Sequence, residues 1–497
     1  MTTTPSTTTG SISSAGLGSG LDVKGIISSL MAVEAQPLQL LQDKASTVST
    51  EISAVGQIQS LTSALSDKAH ALSNTSLWTQ TTSSTSDPTV VTADTSGGTA
   101  AAGDYSVSVQ QLAQGQTATL ATPATALTAG TITIQLGTYT TDGATPPNTT
   151  FATSGPPAPA ITIGPGDTSL ASIRDKINQA NAGVSASIIS DASGSRLSLR
   201  STTTGAVNGF QITATPAGVD PDPTASLSAL NFDASTGATS SQMSLNQFAQ
   251  NAKATVNGIA VTSATNKLSN ISDGLSLTLL KKTDSPVDVS VAADTASMQK
   301  AITDFVSAYS AVQSYISLQT KYDGSVAPAS GTARKDGPLE GDPSIVGFQN
   351  SLRSIITTTS TTSTMFSHLS DIGIAVQKDG TLSVASSTKL TSALAHPDEL
   401  SKLFTTYGTT NENTGIAVRF ASMADKATTV DGALYSRTAG LQGELSRNQK
   451  QQDDMQTHLD ATQARLTAQY QALDTTMSKM TALSSYVSQQ VALMQKA

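Results

Sequence analysis

The chain has 497 residues, a formal net charge of −9 and no cysteine. That length suffices for about three domains, and the missing cysteines exclude a disulfide framework, a thiolate nucleophile and a Cys-ligated metal. Charged residues are only 13% and no Lys/Arg run exceeds a pair such as Lys281-Lys282, so no electrostatic grip on nucleic acid is expected.

Met1 to Ser14 is Thr/Ser-rich without a basic or apolar stretch, so it reads as a disordered start rather than a signal peptide. The cluster Gly16-Leu17-Gly18-Ser19-Gly20 follows, and Asp22 then opens a helix as its N-cap. Ile26, Ile27, Leu30 and Met31 form the apolar face of that helix, and Pro37 should kink or restart it. Leu41, Ala45, Val48, Ile52, Val55, Ile58, Leu61, Leu65 and Leu72 continue at helical spacing to about Trp78.

From about 81 to 294 the pattern is short alternating strands with turn residues between them, as in Tyr105-Ser-Val107-Ser-Val109. Val184–Ile188 and Arg196–Arg200 flank the turn Asp191–Gly194. Asn257-Gly258 between two alternating runs predicts a type I′ hairpin, whose central residues need positive φ. One helix is embedded, Ser169–Ala180, with Leu170, Ile173 and Ile177 on one face. The Pro-rich tract 141–160 and the segment 216–226 read as exposed loops.

Helix returns near Thr295, where Met298, Ile302, Phe305, Tyr309, Val312 and Ile316 make a bundle face. Asp342-Pro343 should cap a helix carrying Ile345, Phe348, Leu352 and Ile355. A hairpin is expected around Lys378-Asp379-Gly380, then two short helices ending near Phe404. The last helix is expected to begin beyond Gly440. From Glu444 to Ala497 there is no Gly or Pro, a run of roughly 80 Å at the helical rise. Every seventh residue from Leu445 reads Leu445, Gln452, Leu459, Leu466, Leu473, Met480, Val487, Met494. The companion column Leu441, Asn448, Met455, Thr462, Gln469, Thr476, Leu483, Gln490 is half polar, so the seam is weaker than that of an autonomous coiled coil.

Candidate chemistry is sparse. Gly16-x-Gly18-x-Gly20 lacks the strand and the Lys-Ser/Thr pair of a phosphate loop. Ser297-Met-Gln-Lys300 matches S-x-x-K without its companion motifs. His70, His368, His396 and His458 have no metal-ligand spacing, and adjacent Asp453 and Asp454 point different ways on a helix. The reading is therefore no catalytic, cofactor or metal site. The terminal stripes remain, and pattern alone divides evenly between an intramolecular bundle and assembly through Leu445, Leu459, Leu466, Leu473, Met480 and Val487 with Ile26, Ile27 and Leu30.

Four stretches resemble one family in order along the chain. They are Ile12–Met31 (ISSAGLGSGLDVKGIISSLM), Gly103–Ala113 (GDYSVSVQQLA), Leu170–Asn178 with Gly183–Ser190 and Arg196–Leu199, and Arg465–Met477 with Ser485–Gln490. Together they resemble flagellar hook-associated protein 2, the filament cap family of bacterial flagella, and the third resembles its IN motif. The fold class expected is α+β multidomain: a discontinuous helical bundle with long terminal coiled-coil-like helices and inserted β-rich head domains. The expected parts are terminal legs (1–42 and 441–497), a bundle (43–80 and 295–440), a head domain (81–120 and 246–294) and a second head domain inserted in it (121–245).

The resemblance implies a secreted protein at the distal filament tip, exported through the flagellar type III apparatus with an export chaperone. It implies a homo-oligomeric ring of about four to six copies. The implied partners are flagellin and the hook–filament junction proteins, with no nucleic acid and no membrane insertion. The alternative is a surface adhesin with a helical stalk and a β-rich glycan-binding head. An enzyme is the third and weakest reading.

Overall fold

The structure, a computed structural model, describes residues 22–95, 100–122, 124–142, 148–218, 225–236, 242–322 and 336–495. The start over 1–14, the cluster Gly16–Gly20, and parts of the expected loops (143–147 and 219–224) lie outside the described residues. The chain divides into two compact units, residues 1–75 with 296–497 and residues 76–295.

In chain order the elements begin with α1 (Val23–Glu34), α2 (Gln36–Ser73) and α3 (Thr75–Thr79). A strand-rich stretch follows: β1 (Thr81–Thr85), β2 (Val91–Asp94), β3 (Gly103–Gln111), β4 (Thr117–Leu120), β5 (Gly130–Thr141), β6 (Thr149–Thr153), β7 (Ile161–Ile163), α4 (Leu170–Gln179), β8 (Val184–Asp191) and β9 (Gly194–Ser201). It continues through β10 (Gly209–Pro216), β11 (Met243–Gln247), β12 (Ala252–Val256), β13 (Ile259–Ser263), β14 (Lys267–Ser272), β15 (Leu275–Leu279) and β16 (Val287–Ala293). Helices then resume as α5 (Thr295–Gln319) and α6 (Pro343–Thr357). The hairpin β17 (Ile374–Val376) and β18 (Leu382–Val384) precedes α7 (Ser387–Leu394), α8 (Pro397–Thr405), α9 (Ile416–Thr428) and α10 (Ala433–Met494). The α+β multidomain class is as expected.

The β-rich unit has two separate cores. One joins Val91, Val107, Val109, Ala254, Leu275, Leu277 and Val289, from a sheet ordered β1-β16-β3-β12-β13 and a second ordered β14-β15-β2. The other joins Leu120, Ile132, Ile134, Ile173, Ile177, Leu197, Leu199 and Phe210, from sheets β10-β5-β6 and β11-β4-β9-β8 with α4 packed on β8. Alternation puts every second side chain on the core face of a strand, so each short sheet needs a partner layer. The I′ hairpin forms as expected: Asn257 and Gly258 have φ of 50° and 81° between paired Val256 and Ile259. Ser169 caps α4 by accepting from the Ser172 N–H at 3.1 Å, and Leu170, Ile173 and Ile177 are buried.

The expected loop over 141–160 needs correction, because β6 lies within it and pairs with β5, placing Phe151 opposite Tyr139. Three threonines around an aromatic residue favour a pleated, half-buried surface, which the neighbouring prolines mask in the sequence.

In the helical unit, α1 stops at Glu34 and α2 restarts at Gln36 with Pro37 in its first turn, as expected. Asp22 caps α1 by accepting from the Gly25 N–H at 2.9 Å. The expected face of α5 is buried from Met298 to Ile316. Asp342 caps α6, accepting from the Ser344 N–H at 2.9 Å, and Ile356 rather than Ile355 completes the buried face. Phe305 and Tyr309 meet Phe420 of α9 edge-on, with centroids 5.1 and 5.7 Å apart.

Two features of this unit depart from the sequence reading. The helix α9, which buries Ile416, Phe420 and Ala424, has no counterpart in it. The last helix begins at Ala433 rather than beyond Gly440, and runs through Gly440 and Gly443. A helical glycine costs only about 1 kcal/mol, which burial of Leu434 and Leu441 offsets.

Glu399 on α8 ties down the connection after α6. It accepts from Lys402 Nζ (2.7 Å), Ser363 Oγ (2.7 Å) and Thr364 N–H (2.8 Å). These donors, Lys402 foremost, hold its carboxyl down to about 2 from the ordinary 4.5. A folded-state value below the unfolded one stabilises fully above pH 4.5, and the effect disappears as pH falls from 4.5 through about 2. Melting temperatures of wild type and Glu399→Gln should therefore differ near neutral pH and converge once the pH falls to about 2. A difference that persists or grows in acid would contradict the assignment.

Candidate assembly surface

The two ends of the chain pair within the helical unit. α2 and α10 run antiparallel, with Lys44 Nζ 2.9 Å from Glu444 and Gln59 Nε2 donating to Thr438 at 3.2 Å. Farther along, Gln452 Nε2 donates to the Leu41 carbonyl at 3.4 Å. Arg437 reaches Glu51 at 3.3 Å and the Asp342 carboxylate at 2.5 Å, tying α10 to both α2 and α6. Burial raises the Glu51 carboxyl above its ordinary value against the pull of Arg437, whereas the Lys44 hydrogen bond lowers Glu444.

The half-polar column faces inward over this stretch. Leu441, Asn448 and Thr462 are buried, whereas Leu445 is half-buried. Gln452 donates to Asn448 Oδ1 at 2.6 Å, but Asn448 Nδ2 is buried without an acceptor. Of the residues expected to assemble, Leu459 is buried in the unit, and Leu466, Ile26 and Ile27 are half-buried. α1 packs against α10. Leu30 and Leu473 are exposed, and Met480 and Val487 more so, at 63% and 51%.

Beyond Tyr470 the character of α10 changes. Met480 to Gln495 contains no charged residue, yet Met480, Leu483, Tyr486, Val487, Val491, Leu493 and Met494 are exposed. A solvated helix normally carries charge on its outer face. The spacing also changes. Up to Thr462 the column residues follow four-three steps through Leu445, Asn448, Gln452, Met455 and Leu459. Two four-residue steps then lead through Leu466 to Tyr470 and on by three to Leu473, after which Met477, Met480, Ser484, Val487, Val491 and Met494 resume the four-three pattern. This stutter moves the companion column to the other side of the heptad line. Following a single companion column along the sequence misses Met477 and Val491; the four-three spacing from Leu473 is the signal that finds them.

Among the described residues no candidate group forms a reaction centre. Ser66 Oγ and His70 Nε2 both bind Asp425, at 2.5 and 2.9 Å, so the carboxylate stands between them and no base activates the hydroxyl. Lys300 of the S-x-x-K match pairs with Asp304 at 2.9 Å. Among the described residues no group of three or more His, Asp or Glu could hold a metal, and no helix is long and apolar enough to cross a membrane.

A paired helical stem that ends in an uncharged, exposed helix, in a chain that also carries a strand-rich unit, defines a structural assembly protein. Family models described as flagellar hook-associated protein 2 C-terminus and N-terminus match residues 249–482 and 19–116, and the flagellin hook IN motif matches 161–203. The chain is 33% identical to flagellar hook-associated protein 2 of Escherichia coli K12, over 97% of this chain and 98% of that protein. It is 31% identical to B-type flagellar hook-associated protein 2 of Pseudomonas aeruginosa, over 88% of each. The solved D1-D2-D3 domains of the Escherichia coli flagellar cap protein FliD align with 31% identity and a TM-score of 0.57, covering 78% of this chain and 99% of that one. This chain belongs to the flagellar hook-associated protein 2 family.

The Asn448→Leu substitution removes the unsatisfied amide. Burying such a group costs about 1–3 kcal/mol, so the substitution should raise the urea midpoint of the helical unit, by about 1 kcal/mol in stability. A lowered midpoint would mean that the Gln452–Asn448 bond outweighs the orphaned donor.

Proposed function

We propose that this protein caps the distal end of the bacterial flagellar filament, promoting flagellin folding and polymerisation and preventing flagellin leakage. Family membership supports this structural reading, and the relatives give no support to the adhesin alternative. The observation that carries the mechanism is the uncharged, exposed end of α10. An apolar helical end of that kind is stable in water only when partners cover it.

In this reading Leu473, Met480 and Val487 pack against helices of neighbouring copies or of flagellin. Leu445, Leu459 and Leu466, with Ile26, Ile27 and Leu30, hold the base of the leg. The protein forms a ring of about four to six copies. It is secreted through the flagellar type III apparatus with an export chaperone, and it also meets the hook–filament junction proteins. The division into legs, bundle and two heads belongs to the same proposal. It is supported by the two separate strand-rich cores, one built from residues 91–113 and 252–291 and the other from 118–243.

Met480→Asp with Val487→Asp tests the leg. Each buried apolar side chain contributes about 2 kcal/mol, and a buried unpaired carboxylate opposes association further. The double variant should melt as wild type does but fail to restore filaments in a strain lacking this protein, with flagellin spilled into the medium. Normal filament length at wild-type export would refute the docking role of this face.

A further inference from the structure

The helical unit holds a buried charge that no hydrogen bond in the described chain satisfies. Arg419 on α9 is 6% exposed, and its Nε and both Nη atoms are buried without an acceptor. Burial lowers its pKa and Glu412 opposes that shift through space. A guanidinium nevertheless stays charged at any ordinary pH. A buried ion without a hydrogen-bonding partner is among the costliest features a fold can retain.

Arg419 lines a cleft of about 690 Å³ between α6, α9 and the connection joining α8 to α9. Ser354, Thr414, Ser422 and Lys426 supply hydroxyls and a second cation, and Val418 and Met423 supply apolar wall. No Asp or Glu is among the lining residues, although the chain carries a net charge of −9. The connection is exposed, with Tyr407 at 79%. It is pinned by Gly415 N–H donating to the Thr406 carbonyl at 2.7 Å and Thr361 N–H to the Glu412 carbonyl at 2.8 Å.

We infer that this cleft receives a carboxylate-bearing, partly apolar peptide segment of a protein partner, with Arg419 as the anchor and Lys426 as the outer guide. A planar guanidinium binds a carboxylate through two parallel hydrogen bonds. A cleft of this volume is far larger than a simple anion needs and lies in the range that holds extended ligands. The incoming carboxylate supplies the hydrogen-bond acceptors that the Arg419 guanidinium lacks within the described chain.

The test uses the full chain and a short fluorescent peptide of alternating Glu and Leu, read by anisotropy. Its Gln-for-Glu counterpart and inorganic phosphate serve as the other probes. Wild type should bind the Glu peptide and not the Gln peptide. Arg419→Met should weaken binding by about tenfold or more while raising the melting temperature, because it removes an unsatisfied buried ion. Lys426→Glu, at an exposed position, should also weaken binding with melting unchanged, and it keeps the test valid if Arg419→Met fails to fold. Equal binding of both peptides, or binding unchanged in Lys426→Glu, would overturn the proposal. So would Arg419-dependent binding of phosphate alone, which would make this a small-anion site. A lower melting temperature in both Arg419→Met and Glu412→Gln would assign Arg419 to an internal ion pair instead.

Discussion

The helical unit depends on joining the two ends of the chain. Lys44 meets Glu444 and Gln59 meets Thr438, contacts between residues several hundred positions apart. Loop-closure entropy grows only slowly with length, about 0.6 kcal/mol per doubling, so the separation itself costs little in stability. Its larger effect is on order: α2 has no α10 to pack against until almost the whole chain is available. Arg437, held by Glu51 and Asp342, then links the outgoing helix, the returning helix and the start of α6 through one side chain. Salt bridges at the surface contribute little, but the Asp342 side chain is only 3% exposed, so the carboxylate end of this pair is shielded from solvent.

Much of the fold was legible because local spacing and burial agree. The face from Met298 to Ile316 and the cap at Ser169 required no tertiary information, and neither did the Asn257-Gly258 turn. The departures have physical causes. Gly440 and Gly443 suggest a helix start, but the helical conformation is imposed from outside by packing of Leu434 and Leu441. β6 depends on pairing with β5, and no local pattern announces a partner. α9 carries alanines where stronger apolar signals would have marked it.

The proposed assembly face was only partly legible, because one heptad column serves two environments. Leu459 is buried against the chain's own helices, while Met480 and Val487 on the same column are exposed. Periodicity records that a residue faces something apolar but not whose side chain covers it. The polar members of the companion column have a similar ambiguity: Asn448 reads as a weak point, yet it is buried, where a polar residue can fix register at a cost in stability.

The stutter between Thr462 and Leu473 has a geometric consequence. One residue turns a helix by about 100°, so transferring the companion column from one side of the heptad line to the other rotates the apolar sector about the axis. Whatever covers the last turns of α10 therefore approaches from a different azimuth than α2 does. In the proposed cap, the distal segment exchanges neighbours without prying open the proximal pair, so one helix is a fixed post at one end and an interchangeable coupling at the other.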